Sequence, residues 1–162
     1  MKKLFICLLA LLIFSSAAYA ENIASGEWTA TGNTEDCTVK SDSFVIKSVA
    51  EGVRGFMFDD ISVKGNKKYR ITVDIYAQNI DALSEMTFSV GAKNSEGEWV
   101  ELPEKNVVQL NRGSYGWRTL DIVCAVPKGC TSLCEMKFEL TSKTLREQNF
   151  SFRNLNIEMY QE

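Results

Sequence analysis

Strict alternation over ten residues constrains this chain most. Between Lys68 and Ala77, Tyr69, Ile71, Val73 and Ile75 share one parity, while Arg70, Thr72, Asp74 and Tyr76 share the other. A strand points successive side chains to opposite faces, so the stretch reads as a β-strand with one apolar and one wet face. Sheets with one solvated face are commonly antiparallel. The same period returns in Glu85–Gly91, with Met86, Phe88 and Val90 inward. It returns again in Trp117–Val126, where Leu120, Ile122 and Cys124 alternate inward, and in Thr131–Thr141, through Cys134, Met136, Phe138 and Leu140. Phe44 and Ile46 mark one earlier strand. Phe56, Phe58, Ile61 and Val63 mark another. The last run carries Phe150 and Phe152, then Leu155, Ile157 and Met159. Its phase slips by one near Arg153-Asn154, which predicts a β-bulge.

Turn signals separate these runs: Gly65-Asn66, Asn94-Ser95-Glu96-Gly97 and Pro127-Lys128-Gly129. Glu98–Glu101 reads as a short strand after the second of them. No window of helical length has a 3.6-residue period, and Asn79–Ser84 reads as one helical turn or a loop. About eight to ten strands with turns between them imply an all-β chain, an antiparallel β-sandwich of jelly-roll or related type.

The N-terminus is of another kind. Lys2 and Lys3 precede an apolar run from Leu4 to Phe14, and Ser15–Ala20 places Ala18 and Ala20 around Tyr19. This is the pattern of a secretory signal cleaved after Ala20. The apolar run is shorter than the ~20 residues of a membrane span. The expected organisation is therefore residues 1–20 as signal peptide and 21–162 as one β-sandwich domain, exported to the periplasm or beyond, with no later membrane span. The signal holds two lysines and no acidic residue, so the net charge falls from −3 for the precursor to −5 for the mature chain. A mildly acidic domain offers no electrostatic footprint for nucleic acid.

Four cysteines remain after the signal: Cys37, Cys124, Cys130 and Cys134. An even count in an exported chain predicts two disulfides, with three connectivities open. If the strands flanking Pro127–Gly129 form a hairpin, Cys124 and Cys134 face each other with Cα atoms about 4.5–5.5 Å apart, within bridging reach. That favours Cys124–Cys134 with Cys37–Cys130. A hairpin starting later would instead give Cys130–Cys134 with Cys37–Cys124. The chain lacks histidine and any C-x-x-C, so no zinc site is expected.

Phe58–Ala77, with Gly65 leading to Tyr69 and the long alternating strand, resembles the central strands of galactose-binding-like jelly rolls. These are the carbohydrate-binding modules of the four, nine and twenty-two type. Gly116-Trp117-Arg118-Thr119-Leu120 and Val126-Pro127-Lys128-Gly129 look like their later segment, and Asn149–Met159 is similar to their closing strand. The likeness runs from Phe56 to Met159. It implies a non-catalytic module that binds a polysaccharide or oligosaccharide. It also implies a structural calcium ion near an acidic pair in the closing strand. Arg153-Asn154 stands there instead, and a guanidinium offers no acceptor to a cation, so no cofactor is expected. Such modules commonly adjoin a catalytic domain, which this sequence does not contain. A structural or protein-interaction sandwich is the alternative reading.

The absence of histidine removes Ser-His-Asp and Cys-His catalysis. Asp59 and Asp60 are neighbours on a strand and point to opposite faces. Glu96, Glu98, Glu101 and Glu104 read as a solvated loop. A small hydrolase with paired carboxylates is the least favoured reading. Sugar sites use rings that stack on the apolar face of a pyranose, flanked by groups that hydrogen-bond its hydroxyls. The candidates are Trp28, Tyr76, Trp99 and Tyr115, and Tyr76 with Arg70 and Asp74 on one polar face is the best constellation. Trp117 opens a buried strand and reads as core. Asn149-Phe150-Ser151 matches a glycosylation sequon and reads as chance.

Overall fold

The computed structural model describes residues 22–103 and 107–160. The expected signal peptide, residues 1–20, and Glu104 of the expected acidic loop lie outside the described residues. Among the described residues the elements are eleven strands and one short 3-10 turn, Thr34–Asp36. In chain order the strands are β1 (Trp28–Gly32), β2 (Cys37–Val39), β3 (Phe44–Ser48), β4 (Gly52–Phe58), β5 (Ile61–Ser62) and β6 (Lys67–Ile80). Then follow β7 (Glu85–Asn94), β8 (Val107–Gln109), β9 (Gly113–Val126), β10 (Cys130–Ser142) and β11 (Gln148–Met159). They form two antiparallel sheets. Sheet A has the order β1-β4-β10-β7-β8, with β5 also pairing β10. Sheet B has the order β2-β3-β11-β6-β9. The architecture is the expected β-sandwich. No helix among the described residues is long and apolar enough to cross a membrane.

The alternation read in the sequence sets the core. Tyr69, Ile71, Val73 and Ile75 of β6 face inward from sheet B and are buried, as are Phe150 and Phe152 of β11. From sheet A come Phe56 and Phe58 of β4, Met86 and Phe88 of β7, and Met136, Phe138 and Leu140 of β10. Each such side chain stabilises the fold by about 1.5–3 kcal/mol through area removed from water. The Tyr69 hydroxyl accepts a hydrogen bond from the Lys64 amide at 2.7 Å, which satisfies its polar tip and fixes the crossing from β5 to β6. The expected bulge in β11 is present: the register with β6 shifts between Arg153 and Asn156, and Asn154 has φ 55°. The expected turn at Asn94–Gly97 also forms, closed by Gly97 N–H to Asn94 C=O at 3.1 Å. Asn79 and Ile80 continue β6 rather than opening a helical turn. Only a single bridge, Lys93 to Trp99, stands where a strand over Glu98–Glu101 was expected.

The cysteine pairing needs correction. β9 and β10 do not form a hairpin: β9 pairs β6 in sheet B, whereas β10 pairs β4, β5 and β7 in sheet A. Pro127–Gly129 therefore bridges the two layers. Cys124 faces the core opposite Tyr69. On β10 the register slips between Cys134 and Lys137, with Glu135 at φ 45°. That extra residue turns Cys134 to the side of Gly91, away from the core cluster that holds Cys130. Cys37, Cys130 and Cys134 carry free thiols. Neither Cys124–Cys134 with Cys37–Cys130 nor the alternative pairing is formed.

Candidate functional site

The outward face of sheet B gathers the polar parity of β6. Register places Arg70, Thr72 and Asp74 of β6 opposite Val123, Asp121 and Thr119 of β9, and opposite Glu158, Asn156 and Arg153 of β11. Tyr76 follows on the same face. Its ring lies 5.6 Å from that of Trp117, tilted by 41°. Trp117 is 41% exposed, and the Arg153 guanidinium sits over its ring at 4.1 Å. The expectation that Trp117 is core is corrected: it is an outer-face ring.

Polar groups beside these rings are tied into one network. The Asp74 carboxylate accepts hydrogen bonds from Asn154 Nδ2 and Thr119 Oγ1, each at 2.9 Å, and lies 4.0 Å from Arg153 Nε. The Asn154 contact foremost, then Thr119, with Arg153 adding charge, holds its carboxyl below the usual carboxylate range. Asp74 is thus an ionised acceptor and a poor proton donor. Arg153 also reaches Asp42 at 3.3 Å. Farther along the face Arg70 grips Asp121 with two bonds, Nε to Oδ1 at 3.0 Å and Nη2 to Oδ2 at 2.5 Å. That pair lowers the Asp121 carboxyl and raises Arg70. Beyond Tyr76 a recess of about 400 Å3 opens between Gln78, Asn79, Ser114 and Gly116. Tyr76 Oη and Gln78 Oε1 are 3.4 Å apart at its mouth.

The structure thus brings together Tyr76, Asp74 and, at a distance along the same strand, Arg70. It separates the other three expected residues from them. Trp28 belongs to the core, its ring 4.7 Å from Phe152 and 5.0 Å from Phe58. Tyr115 packs against the core with Arg118 3.7 Å over its ring, and only borders the recess. Burial raises its hydroxyl pKa. Trp99 lies against Gly91 and Lys93 of β7, on the outer face of sheet A. Thr119 was not singled out from the sequence, and Arg153, Asn154 and Trp117 were noted there but not as site residues. Arg153-Asn154 does not fit a calcium ion: a guanidinium offers no acceptor, and the carboxylates beside it are already engaged, Asp74 by Asn154, Thr119 and Arg153 and Asp42 by Arg153.

No family model and no curated protein sequence matches the chain. Solved structures do. TmCBM61 in complex with β-1,4-galactotriose superposes with a TM-score of 0.59 at 8% identity, covering 87% of this chain and all of that one. The N-terminal cellulose-binding domain from Cellulomonas fimi β-1,4-glucanase C gives 0.54 at 9% identity, over 88% of this chain and 99% of that one. The fold is that of a carbohydrate-binding module. The enzymatically active domain of bacteriophage CBA120 tailspike protein 4 gives 0.59 at 19% identity, and there this chain spans only 20% of the other. The sandwich therefore also occurs as one part of a larger enzyme.

Proposed function

We propose that this chain is an exported, non-catalytic carbohydrate-binding module whose saccharide site is the outward face of sheet B. The observation that carries this reading is the Tyr76–Trp117 ring pair, set directly beside the Asp74–Asn154–Thr119 network. Trp117 is exposed and Tyr76 partly so; such rings offer stacking surface to the C–H face of a pyranose, and fixed amide, hydroxyl and carboxylate groups orient its hydroxyls. The main cations of this face are matched by carboxylates, Arg70 by Asp121 and Arg153 by Asp42 and Asp74. An uncharged polymer suits such a surface better than an acidic or basic one. Asp74 and Asp121 are each held ionised by their partners, which makes them poor general acids. The fold shared with TmCBM61 and the Cellulomonas fimi domain supports the same class of ligand. The signal-like leader supports export.

The test is calorimetric titration of soluble glucans, xylans, mannans and galactans into wild type, Trp117→Ala and Tyr76→Ala. Loss of either ring should weaken binding by about 1–3 kcal/mol, roughly five- to 150-fold. Both variants should melt close to wild type, because the rings stand outside the core. A second reading follows if nothing binds. Strand β9 spans Gly113–Val126 and, among the described residues, pairs only with β6. Its other edge could accept a strand from a protein partner.

A further inference from the structure

Trp99 is 56% exposed, yet its ring is seated firmly. It lies on the outer face of sheet A over Gly91. A Cβ on that glycine would fall 2.4 Å from Trp99 Cζ3, so the indole rests directly on backbone. The Lys93 ammonium stands 5.2 Å from the ring centroid and pairs with Asp60 at 3.5 Å. The turn that delivers Trp99 is tied by one side chain. Asn94 Oδ1 accepts from the Glu96 and Glu98 amides, each at 2.9 Å, while Asn94 Nδ2 donates to the Glu98 carboxylate at 2.9 Å. On the far side the Val100 amide donates to the Ala92 carbonyl at 3.0 Å. A flat ring is thus held in one orientation, with polar donors and acceptors at its margin and much of its surface in water. This is the chemistry of a stacking platform for a pyranose.

We propose that Trp99 forms a second saccharide-binding platform, so that the module engages one polysaccharide chain on each face. Sheets packed face to face lie about 10 Å apart, and their outer faces look in opposite directions. One short oligosaccharide cannot span both. Occupancy of both faces bridges two chains. The bridging rests on the sheet-B reading above, whereas the platform does not. The competing role for Trp99 is a cover over Gly91 and the fully buried Cys134.

The experiment separates the two roles. Trp99→Leu keeps an apolar cover but removes the planar ring, and Tyr76→Ala/Trp117→Ala removes the sheet-B rings. Each is titrated with cellohexaose, xylohexaose, mannohexaose and galactan fragments. Wild type should take two equivalents of the binding oligosaccharide. Trp99→Leu and the double variant should each take one. In the double variant the remaining exposed indole is Trp99, so ligand should shift the emission, and adding Trp99→Leu should abolish both shift and binding. Wild type held on an insoluble polymer should capture the soluble one, and Trp99→Leu should capture at least tenfold less. Two equivalents in Trp99→Leu, or none in the double variant, overturns the platform and leaves Trp99 as a cover. Loss of all binding in Trp99→Leu with none lost in the double variant upholds the platform and overturns the sheet-B site. No binding of any of these sugars by wild type overturns both.

Discussion

Cys134 is buried beneath the outer face of sheet A, and desolvation pushes its thiol up from 9.0 to about 11. A raised thiol pKa means that the neutral form is favoured by folding. Its contribution to stability is complete below about pH 9 and fades as pH rises toward 11. At pH 8 in the native state, therefore, the half-buried Cys37 should be the first thiol to react with an aromatic disulfide reagent. Cys130 and Cys134 should stay silent until the protein is unfolded. Intact mass should be the same with and without reductant. A difference of four hydrogens would contradict the free thiols. Trp117 and Tyr115 show what else was and was not legible at this scale. The alternation through Leu120, Ile122 and Cys124 puts odd-numbered residues of β9 outward, so Trp117 as an outer ring was readable by parity alone. Tyr115 has the same parity and yet faces the core. The register with β6 slips between Ile75 and Ala77, and Gly116 lies in that slip. Nothing in the local pattern announces such a shift. The Asn154 contact to Asp74 was hidden for a related reason: the residue that breaks the phase of β11 is also the one that its bulge turns toward β6.

The strands were read well one by one and less well as neighbours. Alternation is local, so β6, β7, β9, β10 and β11 all stood out in the sequence. Pairing is not local. Pro127-Lys128-Gly129 has the composition of a hairpin turn, yet a three-residue turn can also carry the chain from one layer to the other. Strand β4 carries a sequence signal of its own. Arg54 shares the parity of Phe56 and Phe58, and it is fully buried with them. Its Nε lies 2.8 Å from the Asp36 carboxylate, Nη1 donates to the Gly52 carbonyl at 3.0 Å, and Nη2 donates to the Glu51 carbonyl at 3.4 Å. One side chain thus pins the 3-10 turn and the start of β4 together. Removing Arg54 leaves a cavity and strands the Asp36 carboxylate, 20% exposed, so the cost should approach the ~3–5 kcal/mol of a broken buried pair. Arg54→Ala should therefore lower the melting temperature by about 10 °C or more. Its effect on saccharide affinity per folded molecule should be nil, since Arg54 faces the interior. Calorimetric melting together with titration of the folded variant checks both halves of that expectation.

At the scale of the whole molecule the two sheets are joined by a layer of rings. Phe138 of sheet A stacks on Phe152 of sheet B at 4.4 Å, and Trp28, Phe88 and Phe150 lie within 5.8 Å of Phe138. Phe44 and Phe56 extend the layer through Phe152, at 5.1 and 5.7 Å. Neither sheet can keep its apolar face covered without the other, so the sandwich should unfold as one cooperative unit. Phe138→Ala should cost about 3–5 kcal/mol, the lost transfer energy plus a cavity among rings that are fixed by their neighbours. The denaturant midpoint should fall while the slope stays unchanged, since the surface exposed on unfolding is nearly the same. Tryptophan emission reports in part on Trp117 of sheet B and Trp99 of sheet A, and far-ultraviolet dichroism reports on all strands. Their transitions should coincide in wild type and in the variant alike. Two separated transitions would show that the sheets hold together independently. The two outer faces would then have to be treated as separable scaffolds, since rings fixed to one rigid body must lose their binding surfaces in the same transition.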